Sequence, residues 1–413
     1  MNQSYKYTVK DRFLAYVQID TQADPTSGTF PSSAKQFELT KLLCEELKEM
    51  QIEYTTNEAG YVYGFLPSNV AIYCPKVFFC SHIDTAPDCS GTNVMPLLHK
   101  NYNGQDLVLP DDTTQTLTTT KHPNLLKKMG HDIITASGLT LLGADDKAGI
   151  AIIMDAFYQL KNNPELPHGD LRMLITTDEE IGKGIAKVDK AMLDSDFGYT
   201  LDSGDLGSIE GANFSADSLE LTIHGVSAHP GYAGKMENSI KIIAEIIDAL
   251  PKDTLTPEKT SGMQGFIHPG KLHGELEKAS VGFILRDFDT SKLVSHRNLI
   301  EDTTNRVLQN YPNSRYEITQ KTQYRNMKEV LDANPHVMDL ALKAIAAAGI
   351  TAKVGSIRGG TDGAGLSQMG LPCPNIFAGQ QAIHSRQEWV SVQDMQQAVD
   401  TVIQIAILNT QSK

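Results

Sequence analysis

Histidine and carboxylate side chains follow the predicted strands of this 413-residue chain, at the points where each strand ends. In an open α/β sheet, ligands bind in the crevice beyond the carboxyl ends of the strands, so these side chains converge if the strands are parallel neighbours. Two imidazoles and several carboxylates, without a cysteine, suit Zn²⁺, Co²⁺ or Mn²⁺. The residues are His82 and Asp84 after VFFCS, Glu179 and Glu180 after LRMLITT, Asp202 after FGYTL, His384 after the run 375–378, and Asp145 in GADDKAG.

This set of ligands exceeds what one cation can use, whereas two cations bridged by one carboxylate could use it. Carboxylates at Asp145, Glu180 and Asp202 contribute about −3 against about +4 from two divalent ions, which leaves a site of about +1. Such a site would lower the pKa of a bridging water toward roughly 7 and stabilise a developing oxyanion. The pattern therefore indicates metal-assisted hydrolysis.

Two short motifs indicate which residues could bind metal, orient a ligand or transfer a proton. His82 and Asp84 are two residues apart in an extended segment, so Asp84 can accept a hydrogen bond from the ring nitrogen of His82 that does not hold metal. Glu179 and Glu180 are adjacent and must diverge, which lets one bind metal while the other takes a proton from water. Each motif alone is usually a surface feature, and only the combination carries the hypothesis.

Apolar, β-rich runs that alternate with helical patterns predict an α/β architecture. The polar stretch 92–139 predicts an excursion over the surface that carries a small hairpin or borders the active site. The predicted elements are buried strands at 77–81, 171–177 and 197–201, a short strand at 140–142, and a helix at 148–161 with Asp145 and Asp146 as caps.

A different pattern begins near Ala212, where alternating residues in SADSLELTIHG predict a half-exposed antiparallel strand. The segments that follow predict a small α+β domain inserted in the larger one: a strand at 212–221, a helix at 238–250, a strand at 280–288, a helix at 291–308 and a strand at 315–320. The α/β pattern then returns, with a helix at 335–348 and a loop at 357–365. We therefore expect a discontinuous catalytic domain of residues 1–213 and 325–413 and an inserted domain of residues 214–324.

Composition and charge indicate which classes of partner and which cellular compartment to expect. The chain has 36 Lys plus Arg against 50 Asp plus Glu, a formal net charge of −14, and no basic run, which argues against a nucleic-acid or membrane partner. No apolar stretch approaches the roughly 20 residues that a bilayer requires. The five cysteines lack CxxC spacing and predict reduced thiols, and the first twenty residues lack the features of a signal peptide. We expect a cytoplasmic, soluble globular protein.

Taken in order and spacing, the motifs resemble those of the peptidase T family, the tripeptide aminopeptidases among the dinuclear zinc exopeptidases. The resemblance runs from about Tyr7 to the C-terminus. It implies a catalytic domain with a mixed central sheet, an inserted lid and dimerisation domain, and release of the N-terminal residue from short peptides, tripeptides above all. The motifs are SHIDTAPDCSG, LLGADDKAGIA, PHGDLRMLITTDEEIGKG, GVSAHPG, ILRDFD, IRGGTDGAGLSQMGLPCPNIFAG and the late His384.

The resemblance also implies a role for single residues at the metal site. Asp84 would orient His82, Glu179 would be the general base that activates a zinc-bridging water, and the peptide bond between Asp145 and Asp146 would be cis. Two zinc ions would be held, although Co²⁺ or Mn²⁺ would also suit the ligands. The ligands implied are His82 and Asp202 for one ion, Glu180 and His384 for the other, and Asp145 as the bridge.

Four further residues resemble the family's substrate-binding groups. His229 corresponds to the histidine that polarises the scissile carbonyl, and Arg286 and Arg358 correspond to groups that bind a substrate carbonyl or carboxylate. Asn238 is a candidate both for substrate binding and for the N-cap of a helix. Relatives often form homodimers through the lid, so His229 could act in its own subunit or in the partner's.

The sequence departs from the family pattern in four short stretches, which leaves the strictness for tripeptides open: IEGANFS, SGMQGF, GQQAI and SRQEW. Three alternatives remain. A dipeptidase or N-acyl amino acid amidohydrolase would share every ligand, and a binding protein without activity would be the non-enzyme alternative. A nucleotide-binding enzyme has little support, because neither GxxxxGK[ST] nor GxGxxG is present.

Overall fold

The computed structural model describes residues 6–411 and divides into two compact units. The first unit comprises the chain through Gly211, Glu329–Gly355 and the stretch from Thr361 onward, and the second comprises Ala212–Lys328 and Ser356–Gly360. The sequence division had assigned 356–360 to the catalytic part, but Arg358 donates to the backbone oxygens of Gly262 and Gln264 in the second unit. The catalytic and lid roles of the two parts stay predictions.

The described residues form helices and strands that are numbered in chain order. The α-helices are α1 (Val9–Tyr16), α2 (Gln36–Glu49), α3 (Ala144–Asn162), α4 (Lys190–Leu193), α5 (Ser239–Ala249), α6 (Thr290–Leu308), α7 (Lys328–Ala333), α8 (Pro335–Ala347), α9 (Asp362–Gln368) and α10 (Val392–Asn409). The strands are β1 (Glu53–Thr56), β2 (Val62–Leu66), β3 (Val77–His82), β4 (Leu97–His99), β5 (Leu107–Val108), β6 (Thr116–Leu117), β7 (Ile133–Thr135), β8 (Leu171–Thr176), β9 (Phe197–Ser203), β10 (Ser208–Asn213), β11 (Ser215–His224), β12 (Phe266–Gly274), β13 (Lys278–Asp287), β14 (Arg315–Tyr324), β15 (Lys353–Ile357), β16 (Asn375–Phe377) and β17 (Trp389–Ser391).

The central sheet has the order β1-β2-β8-β3-β9-β16-β10-β15. Strand β3 pairs in parallel with both β8 and β9, and β9 pairs in parallel with β16. Antiparallel pairing joins β1 to β2, β2 to β8 and β10 to β16. The predicted α/β fold with a mixed central sheet is therefore confirmed.

The middle of this sheet is apolar because helices cover it. Every residue of β3 is buried, the near-continuous apolar run that is typical of parallel strands. Helix α3 packs on β3 and β9 and contacts α1 and α10, and nearly all of its residues are buried. Asp155 of α3 accepts hydrogen bonds from the backbone N–H groups of Thr8 and Val9, each at 2.9 Å, and so holds the start of α1.

Most predicted elements are present, two expectations were wrong, and one predicted loop is shorter than expected. Residues 140–142 form no strand. Asp145 and Asp146 are not the N-cap of α3, which is Gly143; the Asp145 carboxylate faces His82, and that of Asp146 accepts the Ser81 hydroxyl. The predicted loop 357–365 is present but shorter, at 358–361, because Ile357 ends β15 and Asp362 begins α9, which Thr361 caps through its hydroxyl group. The excursion 92–139 contains the predicted small hairpin, formed by β5 and β6.

The second unit contains a four-stranded antiparallel sheet in the order β12-β13-β11-β14. Helices α5 and α6 pack on β11 and β13, and their buried leucine, isoleucine and valine side chains form its core. Strand β12 was missed from the sequence because Pro269 interrupts it at a register shift between Pro269 and Lys271, as proline does at edge strands. None of the described helices is long and apolar enough to cross a membrane.

We expect Gly198→Ala to destabilise the first unit, because Gly198 of β9 lies opposite Phe78 of β3. An added Cβ would lie 2.5 Å from carbons of the buried Phe78 ring. Overpacking of this kind costs about 1–3 kcal/mol. The free energy of unfolding in urea measures the effect. Gly28→Ala is the control, because no atom lies within 4 Å of its added Cβ, and a loss there equal to that of Gly198→Ala would contradict the explanation.

Candidate metal centre

Four segments meet at the carboxyl edge of the parallel strands. His82 is the last residue of β3, Asp202 lies near the end of β9, and a 3-10 turn at Glu179–Ile181 follows β8. The loop after β16 carries His384. Because β8, β3, β9 and β16 are neighbours in this order, the structure brings together the side chains that the sequence placed after separate strands.

Asp145 lies between the two imidazoles. Its Oδ1 is 3.1 Å from His82 Nε2, and its Oδ2 is 3.3 Å from His384 Nε2. His82 Nε2 also lies 4.0 Å from Asp202 Oδ1, and His384 Nε2 lies 3.0 Å from Glu180 Oε2. Two groups of potential ligands thus share one carboxylate, which is the arrangement that a pair of cations requires.

Asp84 has a broader role than the sequence indicated. His82 Nδ1 lies 3.0 Å from the backbone oxygen of Asp84 and 3.5 Å from its carboxylate, so the carbonyl is the nearer partner. The two carboxylate oxygens of Asp84 accept the backbone N–H groups of Glu179 and Glu180, both at 3.0 Å. The Asp84 carboxylate therefore fixes the turn that carries both glutamates, and its predicted role in orienting His82 stays a prediction.

Asp178, at the start of this turn, was missed from the sequence. Its φ is +62°, and its carboxylate accepts the backbone N–H and hydroxyl of Ser32 at 2.6 and 2.5 Å and Gln36 Nε2 at 2.7 Å. The only signal was a third acid directly before the Glu179–Glu180 pair. Its partners lie more than 140 residues away, which no local pattern reveals.

Two other polar residues support the ligands. Gln380 Nε2 donates to Asp202 Oδ1 at 2.9 Å and lies in GQQAI, one of the stretches that departs from the family pattern. Asp146 is buried and accepts the Ser81 hydroxyl at 2.5 Å. It also forms a potential metal-ligand group with His82 and Asp202. The Asp145–Asp146 peptide bond is cis, as the family resemblance implied.

Charges in this crevice perturb one another. Burial raises the pKa of Glu179, Glu180 and Asp202 above the usual values, and the negative charge of Asp145 adds to the rise at Glu180 and Asp202. Hydrogen bonds to Asp145 and Glu180 raise the pKa of His384 to about 11. Burial alone would lower the pKa of His82, but Asp145 and Asp84 raise it well above its usual value. Protons thus balance the carboxylates where no cation does so.

The residues present fit divalent cations. Within residues 6–411, Glu180 Oε1 is a buried oxygen without a hydrogen-bond partner, and it belongs to a side chain whose other oxygen faces His384. Single atoms of His82, Asp145 and Glu180 lie within 4.8 Å of one another. Nitrogen and oxygen donors in this number suit a zinc-like ion, and cations would replace the protons because metal ligands must be deprotonated.

The four predicted substrate-binding residues lie in the second unit. His229 is exposed, and its Nδ1 accepts the backbone N–H of Gly231 at 3.1 Å. Arg286 donates to the backbone oxygen of Leu285, and Arg358 stacks over Phe214 with its guanidinium carbon 5.0 Å from the ring centroid. Asn238 caps α5 by accepting the backbone N–H of Ile240 at 2.9 Å. Their roles toward a substrate stay predictions.

Comparison with known sequences identifies the family of this chain. Residues 142–407 match the model of Peptidase family M20/M25/M40. The chain belongs to this family. Peptidase T of Aliivibrio fischeri is 43% identical over 97% of this chain and 98% of its own length, and peptidase T of Clostridium perfringens is 44% identical over 96% of this chain and 98% of its own. The resemblance predicted from the motifs is confirmed, and the chain is a peptidase.

Two solved structures share the fold. An aminopeptidase PepT from Bacillus cereus superposes with a TM-score of 0.77 at 21% identity, covering 97% of this chain and 98% of its own. A Bacillus subtilis protein described as a dinuclear metal binding peptidase of the M20 family superposes with a TM-score of 0.67 at 15% identity, covering 97% of each chain. These likenesses support the mixed α/β fold of the M20 chain.

In metal-free protein, we expect Asp202→Asn to increase stability. Burial and the charge of Asp145 raise the pKa of Asp202, so the folded state holds a proton that the unfolded state releases above about pH 4, and stability falls as the pH rises. Asparagine does not titrate and keeps the oxygen that accepts from Gln380. Urea unfolding of chelator-treated protein should show a gain of at least about 1 kcal/mol at pH 8, since one pKa unit corresponds to about 1.4 kcal/mol.

The same measurements near pH 4 should show a smaller difference between the two proteins. Asp11→Asn is the control, because this side chain is 78% exposed and its replacement should change stability by less than about 0.5 kcal/mol. A metal-free Asp202→Asn protein that is less stable than wild type at pH 8 would show that the carboxylate is not repelled by its neighbours.

Proposed function

We propose that the chain is a dinuclear zinc aminopeptidase that releases the N-terminal residue from short peptides, tripeptides above all. The observation that carries the proposal is the Asp145 carboxylate, which lies 3.1 and 3.3 Å from the two imidazoles beside the Glu179–Glu180 turn. Membership in peptidase family M20/M25/M40 and the curated relatives named peptidase T support the reaction and the substrate class.

The proposed ligands form two sets around the shared Asp145. Each set offers one imidazole and one carboxylate of its own, and these two groups approach to 4.0 Å in the first set and 3.0 Å in the second. Nitrogen and oxygen donors without thiolate are common at catalytic zinc sites, although Co²⁺ or Mn²⁺ would also be accepted. The first set is His82 and Asp202, and the second is Glu180 and His384.

Two zinc ions, when bound, supply Lewis acidity that polarises the scissile carbonyl and makes water acidic at neutral pH. Glu179 is the proposed general base. It accepts a proton from the attacking water and donates it to the leaving amine. Burial raises the pKa of Glu179, which favours a carboxylate that takes up and returns a proton. Asp84 holds the Glu179 backbone through a 3.0 Å hydrogen bond and so fixes where this proton transfer occurs.

On the substrate side, His229 would hydrogen-bond the scissile carbonyl oxygen, and Arg286 and Arg358 would bind the carbonyl or carboxylate groups of the peptide. A planar guanidinium matches a carboxylate with two parallel hydrogen bonds. Asn238 would contribute through its amide group, although its oxygen already accepts from the backbone of α5. These residues belong to the predicted lid, through which a homodimer would form, with His229 acting in its own subunit or in the partner's.

The proposed location is the cytoplasm. The proposed partners are short peptide substrates, without nucleic acid or membrane.

Replacing the proposed base should separate chemistry from binding. We expect Glu179→Gln to lower kcat for a tripeptide by about 10²–10⁴-fold, because general acid–base catalysis contributes this much. Bound zinc should stay near two ions per chain. Steady-state kinetics and metal analysis of the same sample test both points.

Glu58→Gln is the matched control, because Glu58 is an exposed glutamate outside the metal-site residues. It should keep wild-type kcat. Near-wild-type turnover by Glu179→Gln at full zinc content would exclude Glu179 as the base.

A substrate panel tests the proposed peptide class. Tripeptides with a free N-terminus should give the highest kcat/KM, ahead of dipeptides, tetrapeptides and N-acetyl amino acids, with hydrolysis at the first peptide bond. Mass spectrometry of the products identifies the bond. Preference for N-acetyl amino acids or dipeptides would instead indicate an amidohydrolase or dipeptidase that uses the same metal ligands.

A further inference from the structure

Glu388 is a buried carboxylate that accepts hydrogen bonds from the backbone segment 142–145, which leads into Asp145 of the candidate metal centre. Its side chain is 1% exposed. Oε2 accepts the N–H groups of Leu142 and Gly143, both at 2.8 Å, and Oε1 accepts the N–H of Asp145 at 3.0 Å. Both carboxylate oxygens are therefore occupied by the segment that leads into Asp145.

The segment that carries Glu388 also carries His384. Gln381 and Trp389 pair through two backbone hydrogen bonds of 3.0 Å and close the base of a loop. His384 lies within this loop at a φ of +58°, and Glu388 lies next to its base. The base is anchored in turn, because β17 pairs with β7. Glu388 thus connects a loop with one metal-ligand candidate to a backbone segment with another.

We propose that Glu388 is a positioning residue that sets the separation of Asp145 and His384, and through it the affinity of the two-metal site. This inference rests on the proposed function. The Glu388 carboxylate accepts the backbone N–H groups of Leu142, Gly143 and Asp145. The backbone turns toward it at Gly143, which has a left-handed φ of +83°. Without this anion the three N–H groups would be buried and unpaired, and the segment would have to move to satisfy them.

A carboxylate is required at this position because it accepts hydrogen bonds on both oxygens. An amide of the same size presents one oxygen and one NH₂ group, and the NH₂ group would face an N–H donor. Outer partners of metal ligands typically change metal affinity by about 10–100-fold when they are replaced. The effect of Glu388→Gln should therefore appear in metal binding and not only in stability.

Asp155 offers a matched control for stability. It is a buried carboxylate whose Oδ2 accepts the backbone N–H groups of Thr8 and Val9 and whose Oδ1 accepts Gln159 Nε2. Asp155→Asn therefore also sets an NH₂ group against an N–H donor, here that of a side chain. It lies ten residues along α3 from Asp145, which corresponds to about 15 Å of helix. Asp155→Asn should lower the unfolding midpoint without weakening metal binding.

The experiment strips the full-length wild-type, Glu388→Gln and Asp155→Asn proteins with a chelator and titrates each with Zn²⁺ in competition with a dye of known affinity. The absorption spectrum of the Co²⁺-loaded proteins is recorded in parallel. We expect Glu388→Gln to bind Zn²⁺ about 10–100-fold more weakly and to show an altered Co²⁺ spectrum. Asp155→Asn should stay within about twofold of wild type.

Unchanged Zn²⁺ affinity in Glu388→Gln, with two ions bound by wild type, would overturn the inference and leave the proposed function intact. An equal loss in Asp155→Asn would also overturn it, because general destabilisation would then explain both. Wild-type protein that binds fewer than two ions would contradict the proposed function and this inference with it. If Glu388→Gln does not fold, Glu388→Asp keeps the charge with a shorter reach, and wild-type affinity in that variant would equally count against the role.

Discussion

Mutual repulsion among buried carboxylates is the constraint around which the first unit is built. The carboxylates of Asp145, Glu179, Glu180 and Asp202 converge on one crevice. Burial raises the pKa of Glu179, Glu180 and Asp202. Such a cluster is unfavourable without positive charge, and the two imidazoles supply it only in part. The ligands that two cations need are thus the same groups that make the metal-free site costly, which is the usual conflict between function and stability.

Other buried carboxylates hold the loops beyond the strand ends in one conformation. Asp84, Asp178 and Glu388 each accept backbone N–H groups from a segment distant in sequence. A buried N–H that is left unpaired costs about as much as a lost hydrogen bond, so each carboxylate restricts its segment to one conformation. Negative charge in this protein therefore fixes backbone as well as forming the proposed cation site.

The sequence predicted the strands that end at the site because β3, β8 and β9 are rich in apolar and aromatic residues over a short run, which is a local pattern. The residues that follow them were found for the same reason, and the metal-ligand assignments came from motif resemblance. Glu388 was not found, because its partner Leu142 lies 246 residues away and leaves no periodic signal. The prediction of Asp145 and Asp146 as caps was wrong, because an acid before a helix is often a cap and nothing local shows that Asp145 faces a histidine or that Asp146 binds Ser81.

The position of β16 has a consequence for the order in which the protein is made. This strand lies inside the sheet, between β9 and β10, yet it belongs to the last part of the chain, and His384 follows it. During synthesis at roughly 5–20 residues per second, the ribosome adds His384 roughly 10–40 s after Asp202. Until then the chain lacks both the strand that joins β9 to β10 and one imidazole of the proposed metal centre, so one late segment completes the centre of the sheet and the second proposed ligand set.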